Sequence, residues 1–414
     1  MWNYNSMDNT TINSDIYIEN VNRDNSISAR EMICHFCNAE FDIEKVHPGE
    51  QVNCPQCQQT LIRIEKKPIT TPIIYGLLSL LAFFFSLTFP LLNVVIPIVE
   101  DRTSISLLRI FEYLNSQGFI FLSFVFVLFV LIIPLIFIMA TLYVYCGLFL
   151  QKRWVKIKEV AHILVKLKPW IMVDIFCISV IVALFKIKAL ADVYFDYTMI
   201  TIFGYSIFLA RTVLSISDYW LKEKILNLEG STTQIKKQSA IEIKQEARLK
   251  VHLSWTLLIT AVIFYIPANV YPMMITDGIS FYYSSTILEG IIQIWDLGDY
   301  VISTVIFVAS FLIPITKIFI LFIILLAISY KRALSPGNLT KCYVVIEKIG
   351  RWSMIDVFVI TLMTSLFTSP IICILPGLAI IYFCLVVIIT MLATNIIDTR
   401  LLWVDSQNKQ YEMD

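Results

Sequence analysis

Four cysteines near the start of the chain form the clearest chemical pattern in the sequence. Cys34 and Cys37 make one C-x₂-C pair, Cys54 and Cys57 make a second, and segment 38–53 separates the two pairs. Each pair can present two thiolates from a tight turn, and four thiolates complete the tetrahedral site of a structural zinc ribbon. Two disulfides or a redox dithiol would use the same residues. The spacing favours one structural zinc ion, and zinc thiolates indicate a reducing compartment, the cytoplasm.

Polar residues inside long apolar segments are the second feature with a chemical meaning. Lys317 is the only charged residue of segment 300–330, and Asp174 and Asp356 lie near the starts of two other segments. A charge in the hydrocarbon is costly, so we expect Lys317 to face a cavity or a carboxylate, with either aspartate as a candidate partner. Together with Thr394 they form the predicted intramembrane polar set. Snorkelling, helix-dipole stabilisation and helix packing are the structural alternatives for these residues.

The composition excludes a water-soluble globular protein. Of the 414 residues, 57% are hydrophobic and 15% are charged, with a mean hydropathy of +0.74, whereas soluble domains are ~25% charged. The 32 Lys and Arg residues balance the 32 Asp and Glu residues, so no overall basic field exists to attract nucleic acid. The sequence motifs of nucleotide hydrolases, zinc proteases and serine hydrolases are absent, which predicts that the protein is not an enzyme.

Eight apolar segments are long enough to cross a bilayer as helices, because about 20 apolar residues span the hydrocarbon core. They lie at residues 72–97, 119–150, 170–190, 197–217, 251–274, 300–330, 353–373 and 376–397. Since each of them can form one membrane-spanning helix, the sequence predicts a polytopic membrane protein.

The eight segments form two sets of four that repeat in sequence. The motif W-x-M-x-D-x-F occurs at residues 170–176 and again at 352–358, and Ile-Pro occurs at Pro134 and again at Pro314. An even number of spans gives both copies the same orientation. The predicted fold is therefore an all-α polytopic membrane protein with two tandem four-helix repeats and a small zinc ribbon. The two mid-span prolines predict kinks that serve as hinges or only as packing features.

The distribution of basic residues predicts the topology. Loops on the side of the two termini contain 21 Lys and Arg residues, and the loops on the other side contain four. The positive-inside rule therefore places both termini in the cytoplasm. In the outer loops 104–117 and 284–297, apolar residues at helical spacing predict short helices that lie in the outer interface or cap the bundle.

The predicted organisation has six parts. Residues 1–30 are polar, rich in Asn and Ser and without an apolar leader, which predicts a disordered tail. In chain order, the other parts are the Cys₄ ribbon (31–66), the first transmembrane repeat (67–220), a charged cytoplasmic linker (221–250), the second transmembrane repeat (251–404) and a C-terminal tail (405–414).

These motifs together resemble the paraquat-inducible protein A family. The resemblance covers about residues 30–404 and is carried by a Cys₄ ribbon that leads into a span, by the repeated W-x-M-x-D-x-F motif and by N-V-Y-P-M-M at 269–274. It implies a multi-pass protein of the Gram-negative inner membrane that works with a periplasm-spanning assembly of mammalian-cell-entry (MCE) domain proteins to move phospholipids between the inner and outer membranes. Members often carry a second Cys₄ ribbon, whereas residues 221–250 contain no cysteine.

The resemblance also implies which residues form the sites. The zinc ligands would be the four ribbon cysteines, and the polar set in the membrane would centre on Asp174, Lys317 and Asp356. The predicted function is transfer of phospholipid between the bilayer and the MCE partner, with proton movement through Lys317 as a further hypothesis. The alternatives are a redox-stress or metal sensor based on the thiols and a passive scaffold for the partner.

Overall fold

The structure is a computed structural model, and the part of the chain that it describes omits several segments. The described residues are 18–19, 30–34, 36–37, 39–43, 46–90, 92–96, 101–152, 154–188, 192–194, 199–229, 240–278, 281–296, 298–330, 336–366, 372–397, 399 and 401–403. Most of the predicted N-terminal tail, the middle of the predicted linker and the whole predicted C-terminal tail lie outside the described residues, so those three assignments stay predictions.

The N-terminal ribbon is built from short antiparallel strands. In chain order they are β1 (Ile18–Glu19), β2 (Arg30–Ile33), β3 (Glu40–Ile43), β4 (Gln51–Asn53) and β5 (Thr60–Arg63). Strand β2 pairs with both β1 and β3, and β4 pairs with β5 as a separate hairpin. The first C-x₂-C pair lies in the turn between β2 and β3, and the second lies in the turn between β4 and β5.

The first repeat is mostly helical. Its helices are α1 (Thr70–Thr88), α2 (Leu107–Ser116), α3 (Ile120–Phe126), α4 (Ile133–Phe149), α5 (Ile157–Leu167), α6 (Val173–Lys188), α7 (Met199–Ser215) and α8 (Asp218–Glu229). A π-helical turn at Val127–Ile132 joins α3 to α4, and a 3₁₀ turn at Lys168–Trp170 precedes α6.

The second repeat follows the same order. Its helices are α9 (Ala240–Val270), α10 (Ile287–Asp296), α11 (Tyr300–Phe307), α12 (Ile313–Tyr330), α13 (Pro336–Ile349), α14 (Ile355–Leu366) and α15 (Ala379–Ile396). A π-helical turn at Val308–Leu312 joins α11 to α12, and a 3₁₀ turn at Gly350–Met354 joins α13 to α14. The described residues contain seven helices long and apolar enough to cross a membrane, or up to eight when the bent pair of α7 and α8 forms one span. The predicted helical, multi-pass architecture is thus confirmed.

Each repeat also contains a small antiparallel sheet after its first span, which the sequence patterns did not predict. In the first repeat, β6 (Leu92–Ile96) pairs with β7 (Asp101–Ile105) and β8 (Asp192–Tyr194). In the second repeat, β9 (Met274–Gly278) pairs with β10 (Phe281–Ser285) and β11 (Ile372–Pro376). The predicted helical spans 72–97 and 353–373 were therefore wrong at their ends. Pro90 stops the first helix because proline has no N–H to donate, and the β-branched residues beyond it favour a strand.

The short helices predicted in loops 104–117 and 284–297 are confirmed as α2 and α10. Each begins at a residue whose side chain caps the helix: the Ser106 hydroxyl accepts from the backbone N–H of Arg109. At α10, the Thr286 N–H donates to the Glu289 carboxylate at 2.8 Å while the Glu289 N–H donates to the Thr286 hydroxyl. This reciprocal pair is a capping box, which satisfies two donors that the first turn leaves open.

Helices α6 and α14, one from each repeat, pack against each other at the centre of the molecule. The rings of Phe176 and Phe358, the last residues of the two W-x-M-x-D-x-F motifs, meet edge to face with centroids 5.7 Å apart. The Ser179 hydroxyl donates to the carbonyl oxygen of Ile355. Equivalent residues meet in this way at an axis that relates two copies by a half-turn. All twelve residues of α14 are buried as a result.

The turn that leads into α15 depends on a glycine. A Cβ at Gly377 would overlap the carbonyl oxygen of Pro272 and lie 2.7 Å from its carbonyl carbon. The Gly377 N–H also donates to the carbonyl oxygen of Met273 at 2.9 Å, so the two backbones cannot separate without losing a hydrogen bond. The approach ties the start of α15 to the end of α9.

We expect Gly377→Ala to lower the free energy of unfolding by at least about 2 kcal/mol, because the clash is with backbone atoms that cannot rotate away. Thermal unfolding of the detergent-solubilised protein measures the change. Gly290→Ala is the matched control, since a Cβ at Gly290 meets nothing within 4 Å and the residue lies in a helix. Equal unfolding midpoints for the two variants would contradict the prediction.

Candidate functional site

The four ribbon cysteines bring their sulfur atoms together. The Sγ atoms of Cys34 and Cys57 are 3.7 Å apart and those of Cys37 and Cys54 are 3.6 Å apart. All four sulfurs lie within 4.8 Å of one another, and all four residues are buried. Zinc with ~2.3 Å bonds to four tetrahedral sulfurs would hold them about 3.8 Å apart. The cluster can therefore hold a metal ion without a large rearrangement.

Hydrogen bonds within the cluster favour a thiolate at Cys34. The Cys37 thiol is its main hydrogen-bond partner and lowers the pKa of Cys34 to about 5, and the Phe36 N–H donates to the same sulfur at 3.4 Å. Burial raises the pKa of Cys57 to about 12. One thiolate is thus formed readily at Cys34, while the Cys57 thiol resists ionisation. A bound cation would stabilise all four thiolates, because metals bind cysteine in its deprotonated form.

The ribbon contacts both repeats on the same side of the molecule. The Arg211 guanidinium of α7 pairs with the Glu65 carboxylate at 2.6 Å, just before the first span. The Thr399 hydroxyl, after α15, donates to the carbonyl oxygen of Phe36 between the first two cysteines at 3.2 Å. The cysteines also share one apolar cluster with Leu325 of α12 and with Trp403. The ribbon therefore connects the end of the first repeat with the end of the second.

Lys317 is a charged residue that is buried within a membrane-spanning helix, α12. Its side chain is only 3% exposed, and it lies against the backbone of Gly350, where a Cβ would be 2.7 Å from Nζ. None of the ion pairs among the described residues contains Lys317. The predicted pairing with Asp174 or Asp356 is therefore not seen at ion-pair distance. The ammonium group is thus enclosed by protein, and snorkelling to the interface stays an alternative for it.

Three other polar side chains of the second repeat are buried on α14 or in the turns that precede α12 and α14. Asp356, on α14, is 5% exposed. The hydroxyls of Ser310, in the π-helical turn before α12, and Ser353, in the 3₁₀ turn before α14, are buried without a hydrogen-bond partner among the described residues. These two turns contact each other and contact α14. The second repeat thus contains a polar interior, which we call the polar core: Ser310, Lys317, Ser353 and Asp356.

The remaining predicted residues take different positions. Asp174 lies in the first turn of α6, and one of its carboxylate oxygens is buried without a hydrogen-bond partner among the described residues. The Thr394 hydroxyl donates to the carbonyl oxygen of Thr390 at 2.7 Å, within α15. Its own carbonyl oxygen accepts from the Tyr343 hydroxyl at 2.8 Å. The contacts of Thr394 are those of helix packing.

Pro134 and Pro314 both follow a π-helical turn. The N–H of Ile133 donates to the carbonyl oxygen of Leu128, and the N–H of Ile313 donates to that of Val308, so each bond has the wider spacing of a π-helix. A proline has no N–H for the preceding turn, and the π turn changes the hydrogen-bonding register just before it. In both repeats the helix continues through this point. Both the predicted kinks and a hinge role at these prolines stay predictions.

Sequence reasoning missed Ser310 and Ser353, although comparison of the two repeats would have found them. When Pro314 is aligned with Pro134, Ser310 matches Val130 and Lys317 matches Phe137. When the two W-x-M-x-D-x-F motifs are aligned, Ser353 matches Ile171. Three polar residues of the second repeat therefore replace apolar residues of the first. Polarity that only one copy carries is therefore not a requirement of the fold that the two repeats share.

Comparison with known proteins decides the family. One family model, described as paraquat-inducible protein A, matches the chain twice, at residues 69–225 and 251–407. The chain belongs to this family. The two matches also confirm the internal repeat, since their starts at 69 and 251 show the same displacement as the repeated motifs at 170 and 352. The family resemblance inferred from the sequence motifs is therefore correct.

Relatives within the paraquat-inducible protein A family cover nearly the whole chain. The intermembrane transport protein PqiA of Escherichia coli K12 is 29% identical over 93% of this chain and 98% of its own length. A probable intermembrane transport protein of Haemophilus influenzae is 24% identical over 89% of this chain and 95% of its own length. The lipophilic envelope-spanning tunnel protein A of Escherichia coli K12 is 25% identical over 89% of this chain and 90% of its own length. No solved structure matches the chain.

Proposed function

We propose that this protein is a bacterial inner-membrane subunit that transfers phospholipid between the bilayer and a periplasm-spanning MCE-domain partner. The observation that carries the proposal is the polar core. A lysine, an aspartate and two serine hydroxyls without hydrogen-bond partners among the described residues are buried in the second membrane-spanning repeat. The first repeat has apolar residues at the positions of the lysine and the two serines. Such buried polar groups are destabilising in a membrane and mark pathways for substrates, ions or protons. The relatives named as intermembrane transport proteins support transport in preference to catalysis.

Lys317 supplies the means to couple transport to a proton in this proposal. A lysine side chain that is 3% exposed, with no carboxylate at ion-pair distance among the described residues, can change its protonation when its surroundings open. Asp356 supplies the carboxyl group of the same polar core. Movement of α12 relative to the turn at Gly350 would alternately bury and expose the ammonium, because Gly350 forms the wall against which it lies.

The ribbon has a structural role in this proposal and holds one zinc ion in the cytoplasm. Four cysteines leave no open coordination position for a substrate, which is typical of structural zinc sites. Contacts to both repeats then let the ribbon fix their relative position on the cytoplasmic side. The outer sheets and the helices α2 and α10 lie on the opposite side, where a periplasmic partner would dock.

Reconstitution tests the proposed activity. Donor proteoliposomes containing this chain are mixed with its purified MCE-domain partner and with acceptor vesicles, and transfer of a labelled phospholipid is followed over time. We expect the complete system to transfer lipid at least about tenfold faster than the partner alone, a difference of ~1.4 kcal/mol in the barrier. An imposed proton gradient should change the rate further.

Two results would contradict the proposal. Transfer at the same rate with and without the chain would leave it at most a scaffold for the partner. Failure of the chain to bind the partner in a co-purification experiment would exclude the pairing itself. A Cys342→Ser chain serves as a folded control in both experiments, because Cys342 is an exposed residue of α13, away from α2, α10 and the outer sheets.

A further inference from the structure

A groove runs between α9 and α12 of the second repeat. Its volume is about 530 Å³, and its walls are apolar and aromatic, with Leu258 and Tyr265 on α9 and Ile318 and Phe322 on α12 among the lining residues. Several lining residues are open to the outside of the molecule, and Ile263 is 58% exposed. Both helices are membrane-spanning segments. The open side of the groove therefore faces the hydrocarbon of the bilayer.

The corresponding position in the first repeat is closed. There Gly76 of α1 is buried against Leu142 of α4, and a Cβ at Gly76 would lie 3.1 Å from a Leu142 methyl group. The small residue lets the two helices approach closely, as small residues do in membrane proteins. In the alignment of the two repeats, Gly76 matches Leu258 and Leu142 matches Phe322. In the second repeat the residues at these two positions, Leu258 and Phe322, line the groove instead.

The depth of the groove indicates its occupant. The α9 residues that line it run from Trp255 to Tyr265, a rise of about 15 Å along the helix. This is about half of the ~30 Å hydrocarbon core, and both ends lie inside the span Leu249–Val270. At this depth the surroundings are acyl chains, and headgroups lie outside it. No charged residue is among the groove-lining residues that the structure describes, which also suits a hydrocarbon chain.

We propose that this groove is a specific binding site for one acyl chain of a bilayer glycerophospholipid. The inference rests on the proposed function, for which it supplies the place where lipid is first captured. Helix α12 carries groove residues on one face, while Lys317 on the same helix lies buried against Gly350. An acyl chain that enters the groove therefore contacts the helix that holds the lysine of the polar core.

Photo-crosslinking tests the site without the partner. The full chain is reconstituted in vesicles of phosphatidylethanolamine and phosphatidylglycerol that contain a phospholipid with a diazirine on one acyl chain, and labelled residues are mapped by mass spectrometry. We expect labelling to concentrate at residues 255–265 and 315–322. Residues on α1 that are equally exposed to the bilayer, such as Leu81 and Phe84, both 57% exposed, report the background from surrounding lipid.

A matched pair of variants separates binding in the groove from general lipid contact. Ile263 lines the groove, whereas Ile266, on the same helix and 63% exposed, does not. We expect Ile263→Trp to fill the groove and reduce labelling at 315–322 about tenfold, equivalent to ~1.4 kcal/mol of binding energy, and Ile266→Trp to leave it unchanged. Labelling of α1 as strong as that of the groove, or equal effects of the two variants, would overturn the inference.

The outcome is independent of the transfer experiment. Groove labelling by a chain that transfers no lipid in reconstitution would contradict the proposed function and keep the binding site. Active transfer with uniform labelling along all exposed helices would keep the function and overturn the site.

Discussion

Replacing Lys317 with methionine should stabilise the protein and abolish its transport. Methionine has nearly the same length as lysine and no charge, so it fits beside Gly350, where the lysine side chain now lies. Removing a buried charge that no carboxylate pairs with among the described residues removes its desolvation cost. We expect the free energy of unfolding to rise by about 1 kcal/mol or more. Phe137, the matched residue of the first repeat, is fully buried and shows that this position accepts an apolar side chain.

The rate of phospholipid transfer should fall in Lys317→Met, although the free energy of unfolding rises. If Lys317 couples lipid movement to a proton, Lys317→Met lowers the rate of phospholipid transfer in the reconstituted system at least about a hundredfold, ~2.7 kcal/mol in the barrier. The change should also remove the response to an imposed proton gradient. Unfolding in detergent and transfer in vesicles are measured on the same preparation, so a loss of transport cannot be confused with a loss of folded protein.

Lys341→Met is the matched control. It removes a lysine from the exposed face of α13, outside the polar core, and should change neither the stability nor the rate. A Lys317→Met protein that is more stable and transports at the normal rate would show that Lys317 has no role in transport. A gain of stability together with a loss of activity is the usual signature of a functional residue that folding does not need.

Replacing Cys54 with serine has the second large expected effect, on the ribbon. Purified protein should contain one equivalent of zinc, and Cys54→Ser should contain none, because three remaining thiolates no longer complete the tetrahedral site. Structural zinc supplies about 10–16 kcal/mol of apparent binding energy in small zinc-binding peptides. The short hairpins of the ribbon have little other core, so we expect the ribbon to unfold when the metal is lost.

Unfolding of the ribbon should also destabilise the end of the second repeat, which contacts it. The contacts of Phe36 with Thr399 and of the cysteine cluster with Trp403 would be lost together. Limited proteolysis should then cut Cys54→Ser both within residues 31–66 and after α15, at sites that the unmodified protein protects. The transmembrane helices should remain folded, since their packing does not involve the metal.

Cys342→Ser provides the control for this substitution. Cys342 is an exposed free cysteine of α13, so its replacement should change neither the metal content nor the proteolysis pattern. Metal analysis by mass spectrometry gives the content directly. A full equivalent of metal in Cys54→Ser, or sulfurs in the unmodified protein that are oxidised and free of metal, would contradict the structural zinc site and favour the redox sensor.

Several features of the structure could be read directly from local sequence. Three of them depend on residues close together in the chain: the apolar segments, the two repeats and the C-x₂-C pairs. The structure contains helices at the apolar segments, the family model matches both repeats, and the sulfurs of the C-x₂-C pairs lie together. The ends of some spans were not predicted correctly. The residues after Pro90 are as apolar as a membrane helix, and only pairing with β7 and β8 makes them a strand.

The partners of the polar residues were decided by tertiary structure alone. The sequence shows which membrane segments contain charged residues, but it does not show which helix faces meet. The expected contact of Lys317 with an aspartate is replaced by contact with the backbone of Gly350. The same is true of the groove between α9 and α12, whose lining residues, such as Leu258 and Phe322, are distant in sequence. A hydropathy pattern records how well each residue suits lipid, and carries no information about which helix lies beside it.

The sequence by itself therefore determined that the protein spans the membrane as two similar helical repeats preceded by a ribbon whose four cysteines could hold a metal ion, because hydropathy, repetition and cysteine spacing are local properties. The tertiary structure decided that the ribbon joins both repeats, that α6 meets α14 at the centre, and that the polar core lies in the second repeat. Those arrangements depend on the sizes and shapes of side chains brought together from distant parts of the chain, and close packing selects among them only when the whole molecule folds.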